Sequence, residues 1–292
     1  MRIATWNVNS LRARFDKVWW WLERAQPDVL LMQETKLTDD DAPRDEFLRL
    51  GYELAHHGQG RWNGVAIASR SGITEVISNF GEALAPDATP NVGDDEPMAE
   101  ARMVAAVCGG IRIVSLYAPN GRSVGSSFYT AKLLWFDRLV GWLERARDPV
   151  EPLLLGGDLN IAPEDRDVWD ETACHGGTHV SEPERQQFRR LLAWGLVDAY
   201  RIRHPEPERY TWWDYRAGNF HKNMGMRIDH LLVTRSLAQR VTWAEIDREA
   251  RKGKPTPSDH APVVIDIDSS GCPLDGGWSS AASRIAARRA HK

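Results

Sequence analysis

Acids and amides gather where the apolar runs of this sequence stop. Asn7 and Asn9 follow the first run, Gln33 and Glu34 the second, and Asp158 and Asn160 follow Leu153-Leu154-Leu155. Asp229 and His230 fall inside the run that begins at Ile228, and Ser258-Asp259-His260 precedes the last one. In α/β proteins a rigid sheet places ligand-binding groups at its strand ends. The four carboxylates Glu34, Asp158, Asp229 and Asp259, with two or three amides and a histidine, form a hard-oxygen set. Such a set suits Mg²⁺ or Mn²⁺ better than zinc. Taken singly, each member has an ordinary structural reading: Asn7 as a turn residue, Asp158-Leu159-Asn160 as the opening of a loop toward Pro163, Asp259-His260 as a cap. Their joint occurrence, each at a strand end, is what points to a site.

The elements that must position these groups can be read from periodicity. Arg2 to Val8 alternates as a strand, and Ser10 caps a helix from Leu11 to about Ala25, with Leu11, Phe15, Val18, Trp19 and Leu22 at helical spacing. Val29-Leu30-Leu31-Met32 is a continuous apolar run, the mark of a strand buried on both faces. Further strands are expected at 64–69, 102–107, 111–117, 153–155 (ending at Gly156-Gly157), 210–213, 228–234, 241–246 and 263–267. Tyr129 to Arg147 is an amphipathic helix, and Ser181-Glu182-Pro183-Glu184 is a capping box opening another that reaches about Trp194. Ala83 to Glu100, rich in Pro, Gly and acid, reads as a surface loop. Strands and helices mixed along one chain predict a single α/β domain over residues 1–268, sheet layers inside and helices outside. Residues 269–292 read as a tail, frayed or docked as a short basic helix bearing Arg284, Arg288 and Arg289.

Bulk properties narrow the class. The chain has 292 residues, 42% hydrophobic and 27% charged, an ordinary globular balance. No stretch approaches the roughly 18 apolar residues of a membrane span. The N-terminus enters strand-like sequence directly, so the expected location is cytoplasmic. Cys108, Cys174 and Cys272 are too few and too scattered for a disulfide framework. Cys174-His175-Gly176-Gly177-Thr178-His179 is read as a loop, since two glycines break any rigid helical pair of ligands. A net charge of −4 counts mildly against nucleic-acid binding without excluding a local basic face.

Several segments carry a resemblance. Trp6-Asn7-Val8-Asn9-Ser10-Leu11-Arg12-Ala13, Gln33-Glu34-Thr35-Lys36 within 27–36, Gly157-Asp158-Leu159-Asn160-Ile161-Ala162, Asn223-Met224-Gly225-Met226-Arg227-Ile228-Asp229 and Ser258-Asp259-His260 together resemble motifs of the exonuclease III and AP-endonuclease family. The first, third and last are shared with the wider superfamily of metal phosphodiesterases; the second and fourth are specific to the DNA-repair branch. The resemblance spans residue 1 to about 268. It implies a four-layered α/β sandwich, two packed β-sheets flanked by helices, and a Mg²⁺-dependent hydrolase (Mn²⁺ as substitute) acting on double-stranded DNA with abasic sites or blocked 3′ ends; a monomer is the default expectation.

By the same resemblance, Glu34 holds the metal with Asn7 or Asp259 nearby, Asp158 and Asn160 offering a second site. Asp158 aligns or deprotonates the attacking water and Asn160 fixes its orientation. His260 faces the scissile phosphate, backed by Asp229, and Tyr117 reaches the phosphate or leaving group. Asp259 and His260 can serve one site only from a loop, because neighbours on a regular strand face opposite ways. DNA contact is expected from Arg12, Arg14, Lys36 and Arg122, and from the basic run Arg248, Arg251, Lys252 and Lys254. Trp212, Met226 and Ile228 fall where the family builds an apolar pocket for a base-free sugar. For Ile228 ordinary core is favoured. The family often has an aromatic residue at the Met226 position, and Ala199 stands where it usually has Ser or Thr. The rival readings are a phosphoinositide phosphatase, a nonspecific nuclease, or a DNA-binding relative without catalysis.

Overall fold

The computed structural model describes residues 1–81, 100–253, 256–269, Gly271 and Leu274. Most of the expected surface loop, Lys254 and nearly all of the tail lie outside the described residues.

Twelve strands are present among the described residues, in two six-stranded sheets. They are β1 (Arg2–Asn7), β2 (Val29–Gln33), β3 (Glu53–His57), β4 (Val65–Ser69), β5 (Thr74–Ser78), β6 (Met103–Cys108), β7 (Ile111–Tyr117), β8 (Leu153–Asp158), β9 (Leu196–Asp198), β10 (Asp229–Thr234), β11 (Val241–Ile246) and β12 (Val263–Ile267). The first sheet runs β11-β12-β1-β2-β4-β3 and the second β5-β6-β7-β8-β10-β9. Of the helices, α1 (Leu11–Ala25) and the short α2 (Arg44–Arg49) cover the first sheet. The second is covered by α3 (Ser127–Ala146) and, beyond the four-residue α4 (Glu171–Cys174), by α5 (Glu182–Trp194). The four layers expected are therefore present. No helix among the described residues is long and apolar enough to cross a membrane.

The period of two along each strand sorts the residues into these layers. On β1, Ala4 and Trp6 turn outward to α1 while Ile3 joins the core between the sheets. On β8, Leu153 and Leu155 meet α3, and Leu154 faces the first sheet. The rows facing the other sheet therefore read Ile3-Thr5-Asn7, Val29-Leu31-Gln33, Ile113-Ser115-Tyr117, Leu154-Gly156-Asp158 and Val233-Leu231-Asp229. Each is apolar at one end and polar at the other. β1 and β2 are parallel, β7 and β8 are parallel, and antiparallel β10 sets Asp229 opposite Asp158. All five polar tips thus arrive at one end of the inter-sheet core.

Some expectations change. β8 continues through Gly156 and Gly157 to Asp158 rather than stopping at the glycines. Tyr210 to Trp213 is not a strand: Trp212 makes isolated bridges to Met226 on one side and His260 on the other. Strands β3, β5 and β9 and helix α2 were not anticipated.

Candidate active site at the seam of the two sheets

The polar tips meet around one amide. Asn7 Nδ2 donates to Glu34 Oε1 at 2.9 Å and to Asp158 Oδ2 at 2.9 Å, joining the first sheet to the second. Beneath it the sheets are tied again. Thr5 Oγ1 donates to Gln33 Oε1 at 3.2 Å, and Gln33 Nε2 donates across the seam to Ser115 Oγ at 3.1 Å. All three side chains are fully buried, and hydrogen bonds fix a register that apolar packing alone specifies poorly.

Glu34 follows β2 in the left-handed region, at φ 51°, as do Asn9, Lys36 and Asn160 at φ 45°, 54° and 51°. Strained backbone of this kind collects at functional sites when the surroundings overdetermine it. Here they do. Thr35, between Glu34 and Lys36, bonds through Oγ1 to His56 Nε2 at 2.8 Å, and His56 Nδ1 bonds to Asp39 Oδ1 at 2.7 Å. Lys36 turns inward rather than toward a DNA backbone, donating to Glu34 Oε2 at 2.9 Å and Asn9 Oδ1 at 2.7 Å.

The segment before β12 supplies the last groups from an irregular stretch, as the pairing of Asp259 with His260 requires. Ser258 Oγ donates to the Asn7 carbonyl at 2.6 Å and accepts from the His260 amide at 3.2 Å. Trp6 Nε1 donates to the His260 carbonyl at 3.1 Å. His260 Nδ1 meets Asp229 Oδ2 at 2.8 Å, and its Nε2 lies 3.8 Å from Asp158 Oδ2. Burial works against a charged imidazole, but Asp229, Asp158 and Asp259 outweigh it and push His260 up to about 10. Burial and the neighbouring Asp229 carboxylate push Asp158 up to about 7, against the pull of His260 and the Asn7 amide. Asp259 stands to the side, Oδ1 accepting from Asn9 Nδ2 at 2.9 Å and Oδ2 from Trp212 Nε1 at 3.1 Å.

Ligand atoms of Glu34, Asp158 and His260 lie within 4.8 Å of one another. Since the surrounding carboxylates keep His260 protonated on both ring nitrogens, neither is free to ligate, and it suits a donor role. That leaves the carboxylates of Glu34 and Asp158, bridged by the Asn7 Nδ2. This oxygen donor set fits a hard divalent cation. Among the described residues, Asp229 Oδ1 is buried with no hydrogen-bond partner. Tyr117 ends β7 on the same side, with Arg102 4.8 Å over its ring. Burial, then the nearby Glu34 carboxylate, raise its hydroxyl well above the usual range, keeping it a proton donor.

Around this centre the outer predictions divide. Trp212 and Met226 pack on a small cluster of Ala162, Val168 and Ile228, with Cys174 and Val180. Ile228 is buried core, and Trp212 and Met226 remain half-exposed at its rim. Arg12 is 74% exposed on the first turn of α1, 3.7 Å from Asp41. Arg14 is folded back onto the Asn9 carbonyl and Tyr215 Oη. Arg122, at φ 52°, is exposed with its guanidinium 3.6 Å over Phe128. Lys252 is half-buried, bonded to Glu249 at 2.7 Å. The basic run needs a correction: Arg248 and Arg251 are buried, not turned to DNA. Arg248 lies 4.7 Å over Trp213 and Arg251 4.8 Å over Phe220, and Arg251 donates to the Ser258 carbonyl at 2.9 Å. Arg251 thereby holds up the Asp259 segment, while Arg248 bonds the Asn223 side chain at 2.6 Å. His230 is also structural, meeting Arg227 through Nδ1 at 3.0 Å and the Ile161 carbonyl through Nε2 at 2.9 Å. His179 likewise bonds the Asn160 carbonyl, and of its segment Cys174 ends α4 while 175–179 form turns.

This arrangement brings two carboxylates able to hold a cation beside a histidine whose positive charge Asp229 favours, a combination that fits hydrolysis of a phosphoester. The chain belongs to the Endonuclease/Exonuclease/phosphatase family, which it matches over residues 4–260. It is 32% identical over 278 residues to exodeoxyribonuclease III of Haemophilus influenzae, covering 90% of this chain and 98% of that protein. Among solved structures it is similar to the 3′ phosphatase NExo from Neisseria bound to product DNA hairpin, at 38% identity and a TM-score of 0.82, over 92% of this chain and 100% of the other. It is similar also to an AP endonuclease from Archaeoglobus fulgidus, at 35% identity and a TM-score of 0.84, with the same coverage.

Proposed function

We propose that this protein is a DNA-repair phosphodiesterase that hydrolyses the backbone 5′ to abasic sites in duplex DNA and trims 3′ ends, with Mg²⁺ as its ion. The observation that carries the reading is the meeting of Asn7, Glu34, Asp158 and the Asp229–His260 pair at one seam, beside the Trp212–Met226 rim. The similarity to a 3′ phosphatase, an exodeoxyribonuclease and an AP endonuclease supports a DNA substrate.

Glu34 and Asp158, with Asn7 between them and Asp259 at the side, would hold the cation, whose chemistry is to draw charge from the phosphate oxygens. Asp158, buried and ready to accept a proton near neutral pH, takes one from the attacking water. Asn7 keeps the Asp158 carboxylate aimed. His260, held protonated by Asp229, stabilises charge on the phosphoryl oxygens, and Tyr117 donates toward the same region. The half-exposed rim of Trp212 and Met226 offers apolar surface to a sugar lacking its base, where extrusion costs least.

The test is a labelled duplex carrying one abasic-site analogue, incubated with Mg²⁺ or with EDTA. The expected result is a cut 5′ to the lesion that EDTA abolishes, while gel-shift binding of the same duplex persists. A chain that leaves this duplex intact but releases phosphate from inositol or lipid phosphates would overturn the reading.

A further inference from the structure

Behind the site lies a buried ion pair that the chemistry above does not use. Lys132 is on the inner face of α3, in step with Tyr129, Phe136, Leu139 and Leu143, and is fully buried. Its ammonium contacts the Glu184 carboxylate and donates to the carbonyls of Asn160 at 2.6 Å and Asn120 at 3.3 Å. These three acceptors match the three donors of a lysine. Glu184, the last acid of the α5 capping box, also accepts from the His179 amide at 2.9 Å and from Thr178 and Ser181. Burial pushes Glu184 up, but Lys132, Ser181 and the His179 amide outweigh it and hold the carboxyl below its usual range. His179 Nδ1 adds a second bond to the Asn160 carbonyl at 2.7 Å.

The two carbonyls belong to different site loops. Asn120 lies beyond Tyr117 on the loop that also bears Arg122, and Asn160 lies beyond Asp158. Their side chains meet as well: Asn120 Nδ2 donates to Asn160 Oδ1 at 3.2 Å, and Asn160 Nδ2 donates to the Ala118 carbonyl at 3.1 Å. Asn160 sits at a left-handed φ of 51°, which a non-glycine residue keeps only when held. A buried ion pair is a poor device for stability, because an apolar pair of similar volume does as well or better. It is a good device for fixing geometry.

Resting on the phosphodiesterase reading, we propose that Lys132, set by Glu184, is a positioning residue that clamps the Tyr117–Arg122 loop to the Asp158–Asn160 loop. Through the Asn160 backbone it orients the amide beside the attacking water. No proton or charge passes through it.

The test compares wild type with Lys132→Met combined with Glu184→Gln, which removes both charges and keeps the capping box. We expect cooperative melting close to wild type and an unchanged KM for the abasic duplex, with kcat lower by about 10- to 100-fold, the usual consequence of slight misplacement. Amide hydrogen exchange should quicken at 118–122 and 159–161. In an Asn160→Ala background the same pair of changes should cost little more, because the clamp acts through Asn160. A folded variant with wild-type kcat, or one whose effect adds in full to Asn160→Ala, overturns the proposal. If the combined variant does not fold, Lys132→Met alone serves: Glu184 keeps its bonds from Thr178, Ser181 and the His179 amide while both carbonyls lose the ammonium, and an unchanged kcat and exchange pattern would refute the clamp. If wild type itself leaves the duplex uncut, the proposed function fails, while hydrogen exchange still reports on the clamp.

Discussion

Replacing Asp158 with asparagine should lower the rate of incision by about 10²- to 10⁴-fold, the range for loss of a positioned acid–base group. The fold should survive. Asparagine has the same shape, and its single oxygen can keep one of the two bonds that Asp158 now accepts, from Asn7 Nδ2 at Oδ2 and from the Asn160 amide at Oδ1, at 2.9 Å each. What is lost is a group that can take a proton, and one negative charge facing Glu34 and Asp229. Relief of the repulsion from Asp229 and Glu34 opposes the loss of one hydrogen bond and of the attraction to His260, so the melting temperature should stay near that of wild type. The measurement is single-turnover cleavage of the abasic duplex alongside a melting curve. Loss of activity with loss of folding would mean that Asp158 is chiefly structural, and wild-type cleavage would place the proton acceptor elsewhere.

The largest effect on stability is expected from Gly157→Ala. A Cβ there would lie 1.8 Å from the Leu116 carbonyl oxygen, and φ is +154°. The obstacle is the backbone of the neighbouring strand β7, which cannot rotate away as a side chain can. A loss on the order of 3 kcal/mol is expected, at the upper end for overpacking. Gly156→Ala is the internal control. Its Cβ would meet Leu31 Cδ1 at 2.5 Å and Leu231 Cδ2 at 2.7 Å, both ends of flexible side chains, so the loss should be smaller, about 1 kcal/mol. Urea denaturation of the two variants gives the comparison, and equal stabilities would contradict the packing argument. Gly157 also matters to function, since close approach of β7 and β8 sets Tyr117 opposite Asp158.

Much of the catalytic constellation could be read without the fold. An apolar run of strand length with a carboxylate or amide at one end declares the end at which that group emerges. Glu34 and Asp158 follow such runs, Asp229 lies at the start of one, and Ser258-Asp259-His260 precedes the last. The strands that escaped notice lack it. Thr74–Ser78 is an edge strand with no buried face, and Leu196–Asp198 has only three residues. Arg44–Arg49 buries Phe47 alone, too little for a helical period to show. Trp212-Trp213 mimics a strand because both are bulky aromatics, yet Trp212 bonds in two directions and extends neither ladder.

The charged residues were the least legible, because a charge in sequence carries no mark of which way it faces. Arg248 and Arg251 look like a solvated run and are instead stacked on aromatic rings. Lys132 had a signal in its place on the apolar stripe of α3, and Glu184 had one as a capping acid. Neither revealed that they meet, being 52 positions apart.

By itself the sequence determined the local matters: which segments alternate, which ends are polar, and a donor chemistry suited to a hard cation. Only the tertiary structure decided that the two sheets pack with their polar ends together, so that Asn7 spans Glu34 and an Asp158 that lies 151 positions away. Alternation and capping act over a few residues, and composition reports them directly. The seam is set by packing two faces and by a few buried hydrogen bonds between distant positions, and such contacts exist only once the chain has closed on itself.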